Sequence, residues 1–129
     1  MAQHISAFAL VVPDYDAAIA FYVGTLGFDL IEDTQQSETK RWVLIAPNGA
    51  ETRILLAKAD GDTQTAAIGN QTGGRVGFFL NTDDFEADYQ RMRTAGVHFE
   101  EEPRYEPYGT VAVFNDPFGN RWDLLQLAS

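Results

Sequence analysis

Apolar and polar positions in the first half of the chain predict a strand, a helix and three further strands. Residues 5–12 are apolar and end at a proline, which predicts a strand buried on nearly both faces. The helical stripe that follows consists of Ile19, Tyr22, Val23 and Leu26. Asp14 is placed to cap this helix and Gly27 to end it. The three later strands are predicted over residues 28–33, 40–46 and 52–57.

The second half of the chain repeats this order of elements. A polar, glycine-rich stretch is followed by a predicted strand over residues 75–80 and a helix that stops at Gly96. The apolar stripe of that helix is Phe85, Tyr89 and Met92. A Pro-x-Gly turn also recurs after about 70 residues, at 47–49 and 117–119. We therefore predict a single domain, residues 1–129, with module one at about 4–58, a connector at about 59–74 and module two at about 75–127.

Charge and composition narrow the range of partners. Nine Lys and Arg stand against nineteen Asp and Glu, and the net charge of -10 disfavours nucleic acid and anionic membranes. The absence of cysteine excludes disulfides, thiolate nucleophiles and thiolate metal sites. The chain contains neither a leader-like segment nor about 18 consecutive apolar residues. We therefore expect a cytoplasmic protein with no nucleic-acid or membrane partner.

Four short motifs mark the ends of predicted elements. They are Val12-Pro13-Asp14, Leu26-Gly27-Phe28, Asn115-Asp116-Pro117-Phe118-Gly119-Asn120 and Trp122-Asp123-Leu124. From Ile5 to about Gln126 the chain resembles the vicinal oxygen chelate superfamily of glyoxalases, bleomycin-resistance proteins and extradiol dioxygenases. This resemblance implies an α+β fold in which two βαβββ modules form curved mixed sheets around a cavity. It also implies a homodimer.

The same resemblance implies where a metal would be held. In metal-dependent members, the ligands are a His or Glu on the first and fourth strand of each module. Here Ala7, Leu55 and Arg75 stand at three of those positions, and only Asp123 supplies a carboxylate. Because catalytic metal sites have about three protein ligands, we expect no metal ion and no other cofactor.

The predicted ligand-binding residues are Arg75, Asp123, Arg104, Tyr108, Trp42 and Phe79. The resemblance implies that strands five and eight are neighbours, so Arg75 and Asp123 are expected to face each other. The Arg75 guanidinium then either binds a carboxylate, phosphate or enolate-like oxygen of a ligand or simply pairs with Asp123, whose pKa it would lower. Trp42 and Phe79 are expected to supply aromatic surface, and the loop containing Arg104 and Tyr108 the rim.

These residues favour a metal-free binding or resistance-type protein that holds a small aromatic or anionic organic molecule in a dimeric cavity. One alternative is a metal-dependent glyoxalase-like lyase or isomerase, or a ring-cleaving extradiol-type dioxygenase, with ligands at other positions. Another is a metal-free enzyme that uses Arg75 as an electrophile. No catalytic residue is assigned, because a fold does not determine a reaction.

Overall fold

The structure, a computed structural model, describes residues 2–129 and divides into two compact units, one ending at Ile68 and the other beginning at Gly69. Unit one contains β1 (Ala7–Val12), α1 (Tyr15–Ile19), a π-helical continuation (Ala20–Thr25), β2 (Asp29–Gln35), β3 (Arg41–Ala46), β4 (Arg53–Lys58) and α2 (Gly61–Ala67). Unit two contains β5 (Phe78–Asn81), α3 (Phe85–Thr94), β6 (His98–Phe99), β7 (Arg104–Glu106), β8 (Gly109–Asn115) and β9 (Arg121–Leu127). The predicted α+β class and the repeated βαβββ order are confirmed.

In unit one, the strands form a four-stranded sheet with the order β1-β4-β3-β2, in which β1 and β4 pair in parallel. α1 and its π-helical continuation lead from β1 to β2. The Asp14 carboxylate accepts a hydrogen bond from the Ala17 N–H at 2.8 Å and so caps the helix. Almost fully buried side chains form the core: Leu10, Val12, Tyr22, Val43, Ile45 and Leu56. Gly27 follows the helix with a φ of 85°, as a glycine stop requires.

β1 is an edge strand, and the prediction that it is buried on nearly both faces is wrong. Leu10 and Val12 are buried, whereas the Phe8 side chain is 60% exposed and Ala9 is exposed as well. Phe8 shares a face with Leu10 and Val12 but is exposed at the start of the strand. The opposite face carries Ala7, Ala9 and Val11. Hydrophobicity alone does not separate such a strand from a central one.

Unit two has a five-stranded sheet in which β5, β9, β8 and β6 are adjacent in that order and β7 also pairs with β8. Two short strands, β6 and β7, lie antiparallel to successive parts of β8 and replace the single strand predicted there. Pro103 lies between them and has no N–H to donate to a ladder. Phe114 and Trp122 stack in the core with ring centroids 5.8 Å apart.

The helices are short; α1 and α3 each bury apolar side chains, whereas α2 buries none. The Asp84 carboxylate caps α3, and the predicted stripe of Phe85, Tyr89 and Met92 is buried. Within residues 2–129, no helix has the length and apolar character needed to cross a lipid bilayer.

A buried carboxylate organises the turn between β8 and β9. Asp116 Oδ1 accepts hydrogen bonds from the N–H groups of Phe118 and Asn120 at 2.9 and 2.8 Å, and Oδ2 accepts one from Asn120 Nδ2 at 2.6 Å. Asp116 and Asn120 are the two buried polar residues of the part of the chain described. The longest motif of the sequence therefore stabilises a turn and positions β9.

Candidate functional site

The unit-two sheet has one face packed against α3 and an opposite face that is buried at Val111 and Val113 on β8 and exposed at Phe79 on β5. Trp122 and Leu124 on β9 are buried against the α3 side, so Asp123 points to the opposite face. Its ladder neighbours are Phe79 on β5 and Val113 on β8. We call this surface the Asp123 face; it is formed by Phe79, Arg104, Val111, Val113, Arg121 and Asp123.

The Asp123 carboxyl is partly desolvated and incompletely paired. Its Oδ1 atom is buried and has no hydrogen-bond partner among residues 2–129. Burial is the largest effect and raises the pKa of Asp123. The positive charges of Arg104 and Arg121 lower this pKa, and the negative charge of Glu101 raises it. The expectation that the pKa of Asp123 is lowered overall is therefore wrong, because desolvation outweighs the lowering effect of the nearby arginines.

Arg104 faces Asp123 but is already paired with other carboxylates. Its Nε donates to Glu101 Oε1 and Oε2 at 2.9 and 3.1 Å, and one Nη lies 3.6 Å from Glu106 Oε1. Glu101 also accepts the Val113 N–H at 3.1 Å, which fixes the loop to β8. Glu101 above all, and also the Tyr108 hydroxyl, raise the pKa of Arg104. The structure thus brings the predicted rim residues Arg104 and Tyr108 together.

Arg121, the second arginine of this face, is also paired. Its Nε and one Nη donate to the two oxygens of Glu100 at 2.8 Å each, and the other Nη donates to the Gly74 carbonyl at 3.0 Å. This bidentate contact holds the pKa of Glu100 below its usual range. Two arginines are thus matched by Glu100, Glu101 and Glu106, and Asp123 adds a negative charge that no ion pair balances among the described residues.

Arg75 does not face Asp123, contrary to the sequence prediction. β5 begins at Phe78, and Arg75 lies before it in a turn where Gly73 and Gly74 adopt φ values of 71° and 91°. The Arg75 Nε donates to the adjacent Val76 carbonyl at 3.1 Å, and its own carbonyl accepts from Thr72 Oγ1. Glycines with positive φ break the extended conformation, so the strand neighbour of Asp123 is Phe79.

Aromatic surface accompanies the unpaired carboxyl. The Phe79 side chain is 59% exposed beside Asp123, and that of Tyr108 is 51% exposed beside Arg104. Exposed rings of this size next to polar groups are typical of small-molecule sites. Phe114, in contrast, is fully buried in the core.

Trp42 belongs to unit one and lines a cleft of about 630 Å³ there. β3 and β4 are paired only over Val43–Ile45 and Ile54–Leu56, although both strands extend further. The cleft lies beside the unpaired residues at the start of β3 and the end of β4. We call it the lysine cleft; its walls are Tyr15, Ser37, Thr39, Lys40, Arg41, Trp42, Leu55, Leu56, Ala57, Lys58, Ala59, Asp60 and Gln64.

The positions that the resemblance assigns to metal ligands do not fit a divalent metal. Ala7 and Leu55 lie on the same side of the β1–β4 pair and have no donor atoms. Arg75 lies outside its expected strand, which leaves the Asp123 carboxylate alone. Within residues 2–129, no three His, Asp or Glu side chains are gathered as a metal site would require.

Sequence reasoning missed the importance of Glu101; it offered Arg53 as a further candidate for ligand contact but did not recognise it as the counterpart of Asp123. Glu101 lies in a run of three glutamates, and no sequence signal shows which of them accepts a backbone N–H. Arg53 is the only other described residue besides Asp123 with a buried side-chain polar atom that lacks a hydrogen bond, its Nε. Both residues follow the Pro-x-Gly turn of their module by four positions, so the repeat itself could have identified Arg53 as the counterpart of Asp123.

Comparisons with known proteins agree with this fold. Residues 4–124 match the family model of the glyoxalase/bleomycin resistance protein/dioxygenase superfamily. An uncharacterised protein of Shewanella frigidimarina is 57% identical over 129 residues, covering 98% of this chain and 96% of that protein. The crystal structure of UcmS2 has a TM-score of 0.83 at 34% identity and covers 97% of this chain and 98% of its own. TnmS3, an antibiotic binding protein from Streptomyces sp. CB03234, has a TM-score of 0.80 at 36% identity, with 98% of both chains covered. This chain therefore belongs to the glyoxalase/bleomycin resistance protein/dioxygenase superfamily.

Proposed function

We propose that the protein binds a small aromatic organic molecule, of the antibiotic type, at the Asp123 face and without a metal ion. The similarity to TnmS3 over nearly the whole chain supports a binding rather than a catalytic role. A shared fold by itself leaves function open, so the proposal depends on the site. The expected homodimer and cytoplasmic location stay predictions.

The observation that carries the proposal is the unpaired Asp123 carboxyl beside the exposed ring of Phe79. A ligand ring that packs on Phe79 would exclude water, and a ligand N–H or O–H would donate to the second oxygen of the Asp123 carboxylate, because Oδ1 is buried. Since the arginines of this face are already paired with glutamates, the favoured polar group is a donor or a cation. This differs from the anionic group expected at Arg75.

The enzymatic alternatives have less support. A lyase or dioxygenase of the metal-dependent type needs several convergent oxygen or nitrogen donors, and Ala7 and Leu55 provide none. The metal-free alternative combined Arg75 as electrophile with a neighbouring acid or base, and Arg75 lies in a separate turn. We therefore propose no reaction for this chain.

Daunorubicin, whose planar aromatic ring system carries a cationic amino sugar, and N-acetyldaunorubicin, its neutral counterpart, form a matched pair of probes for this site. We expect daunorubicin at about ten times its Kd to raise the Tm of EDTA-treated protein by about 4 °C. N-acetylation and the Asp123→Asn substitution should each weaken binding about tenfold, because each removes one partner of a charge-assisted hydrogen bond. Arg75→Gln is the control and should bind as the wild type does. Equal binding of both probes to wild type and Asp123→Asn would contradict the proposal.

A further inference from the structure

The lysine cleft has the size and the apolar lining of a second small-molecule site. Its lining includes the apolar residues Leu55, Leu56 and Ala57 together with Trp42, which is 37% exposed. Its volume of about 630 Å³ lies within the range of about 300–1,000 Å³ that is usual for ligand pockets. A volume of this size is sufficient for a bicyclic aromatic molecule.

The arginine of this cleft is part of its wall and is not available to a ligand. Arg41 donates to both Asp33 oxygens at 3.1 and 2.7 Å and to Asp16 Oδ1 at 2.8 Å. Its guanidinium also lies over the Tyr15 ring, 5.2 Å from the centroid. These contacts hold the pKa of Asp33 below its usual range. All three guanidinium nitrogens are thus engaged within the protein.

The free positive charge of the cleft comes from lysine. Lys40 and Lys58 are the only two lysines in the sequence, and both line this cleft. Neither forms an ion pair within residues 2–129, although the chain carries a net charge of -10. Asp60 is the single carboxylate among the lining residues, so the two ammonium groups exceed the negative charge there.

The Tyr15 hydroxyl adds a directed polar group. Its oxygen accepts a hydrogen bond from the Arg41 N–H at 3.2 Å, which leaves the phenolic hydrogen available to donate. A donor and two cations at the rim of an apolar cleft are complementary to an anion attached to an aromatic ring.

We propose that the lysine cleft binds an aromatic carboxylate, whose ring packs on Trp42 and whose anionic group is held by Lys40 and Lys58. The lysine cleft and the Asp123 face have no residue in common, and the Asp123 face favours the opposite charge. The two predictions concern different residues and different probes, so each can fail without the other.

The test uses 1-naphthoate and its uncharged counterpart 1-naphthamide, titrated by calorimetry and by tryptophan fluorescence. We expect 1-naphthoate to bind and to quench Trp42, and 1-naphthamide to bind about tenfold more weakly. Lys40→Gln and Lys58→Gln should each raise the Kd about threefold to fivefold, and the double variant about tenfold. Arg75→Gln, which removes one positive charge from unit two, and Asp123→Asn are controls that should leave this Kd unchanged.

Amide shifts in the wild-type protein give a readout that does not depend on any variant. Shifts on adding 1-naphthoate should centre on the Trp42 indole N–H, Ala57 and Lys58. Equal binding of the two probes, an unchanged Kd in the double lysine variant, or shifts centred on Phe79 and Asp123 would each overturn the proposal.

Discussion

The two units place opposite charges at the same point of their fold. Four residues after the turn glycine, unit one has Arg53 on β4 and unit two has Asp123 on β9. Each has a buried polar atom without a hydrogen-bond partner in the described structure. The strand partner also differs, since Arg53 lies next to Ala7 and Asp123 next to Phe79. The repeat therefore preserves the arrangement of strands, while the chemistry of the sheet faces that carry Arg53 and Asp123 has diverged.

Removal of the buried turn carboxylate should have the largest effect and should distinguish the two turns. Asp116→Ala leaves one buried and one half-buried N–H group without their acceptor and should lower the free energy of unfolding by about 3 kcal/mol. Asn48→Ala, in the corresponding turn of unit one, removes an exposed contact to Asp29 and should cost less than about 0.5 kcal/mol. Urea unfolding measures both. Equal losses would show that the two turns are stabilised in the same way.

Glu101→Gln should change both stability and the charge balance at Asp123. Loss of the ion pair with Arg104 should cost about 1 kcal/mol. The pKa of Asp123 should fall, because a negative neighbour is removed and Arg104 becomes freer to interact with the carboxylate. Carbon-detected NMR titration of Asp123 follows this directly. Glu102→Gln, at an exposed neighbouring position, is the control, and an unchanged Asp123 pKa in Glu101→Gln would contradict the electrostatic account.

Asp123→Asn should increase stability at neutral pH by about 1 kcal/mol, as it removes a desolvated charge. Because the folded-state pKa of Asp123 is raised above 3.8, the folded state binds more protons than the unfolded state between these two values. The penalty is therefore fully present at neutral pH, begins to fall as the pH drops through the raised folded-state pKa, and is gone below the unfolded-state value of 3.8, where the two proteins should become equally stable. Denaturant unfolding between about pH 3 and pH 7 measures the difference.

Arg53→Gln provides the matching experiment in unit one. An arginine stays charged throughout that pH range, so the effect of this substitution on stability should not change with pH. If the effect of Arg53→Gln on stability varied with pH as that of Asp123→Asn does, the pH dependence would come from a titrating group other than these two residues.

Arg75→Gln should have the smallest effect. Its side chain donates to an adjacent carbonyl in an exposed turn, so the free energy of unfolding should change by less than about 0.5 kcal/mol. The pKa of Asp123 should stay the same within error in an NMR titration. A clear rise of that pKa in the variant would show that Arg75 and Asp123 do interact in the folded protein.

Much of the fold could be predicted because periodicity and turn chemistry are local. The stripe of Phe85, Tyr89 and Met92 and the cap at Asp14 both follow from side-chain spacing and hydrogen bonding within one element. The site was less predictable, since it depends on strand register and on where a strand begins. The glycines before Phe78 shift that start by three residues, which separates Arg75 from Asp123 and brings Phe79 beside it. Likewise, the pKa of Asp123 depends on burial, which the sequence does not report.

An amide NMR titration of EDTA-treated protein with daunorubicin tests whether the Asp123 carboxylate binds an organic donor without a metal ion. We predict saturable shifts centred on Phe79, Val113 and Asp123, greatly weakened in Asp123→Asn and unaffected by adding divalent metal. Shifts that appear only after metal is added, or that persist unchanged in Asp123→Asn, would contradict recognition of an organic donor by this carboxylate.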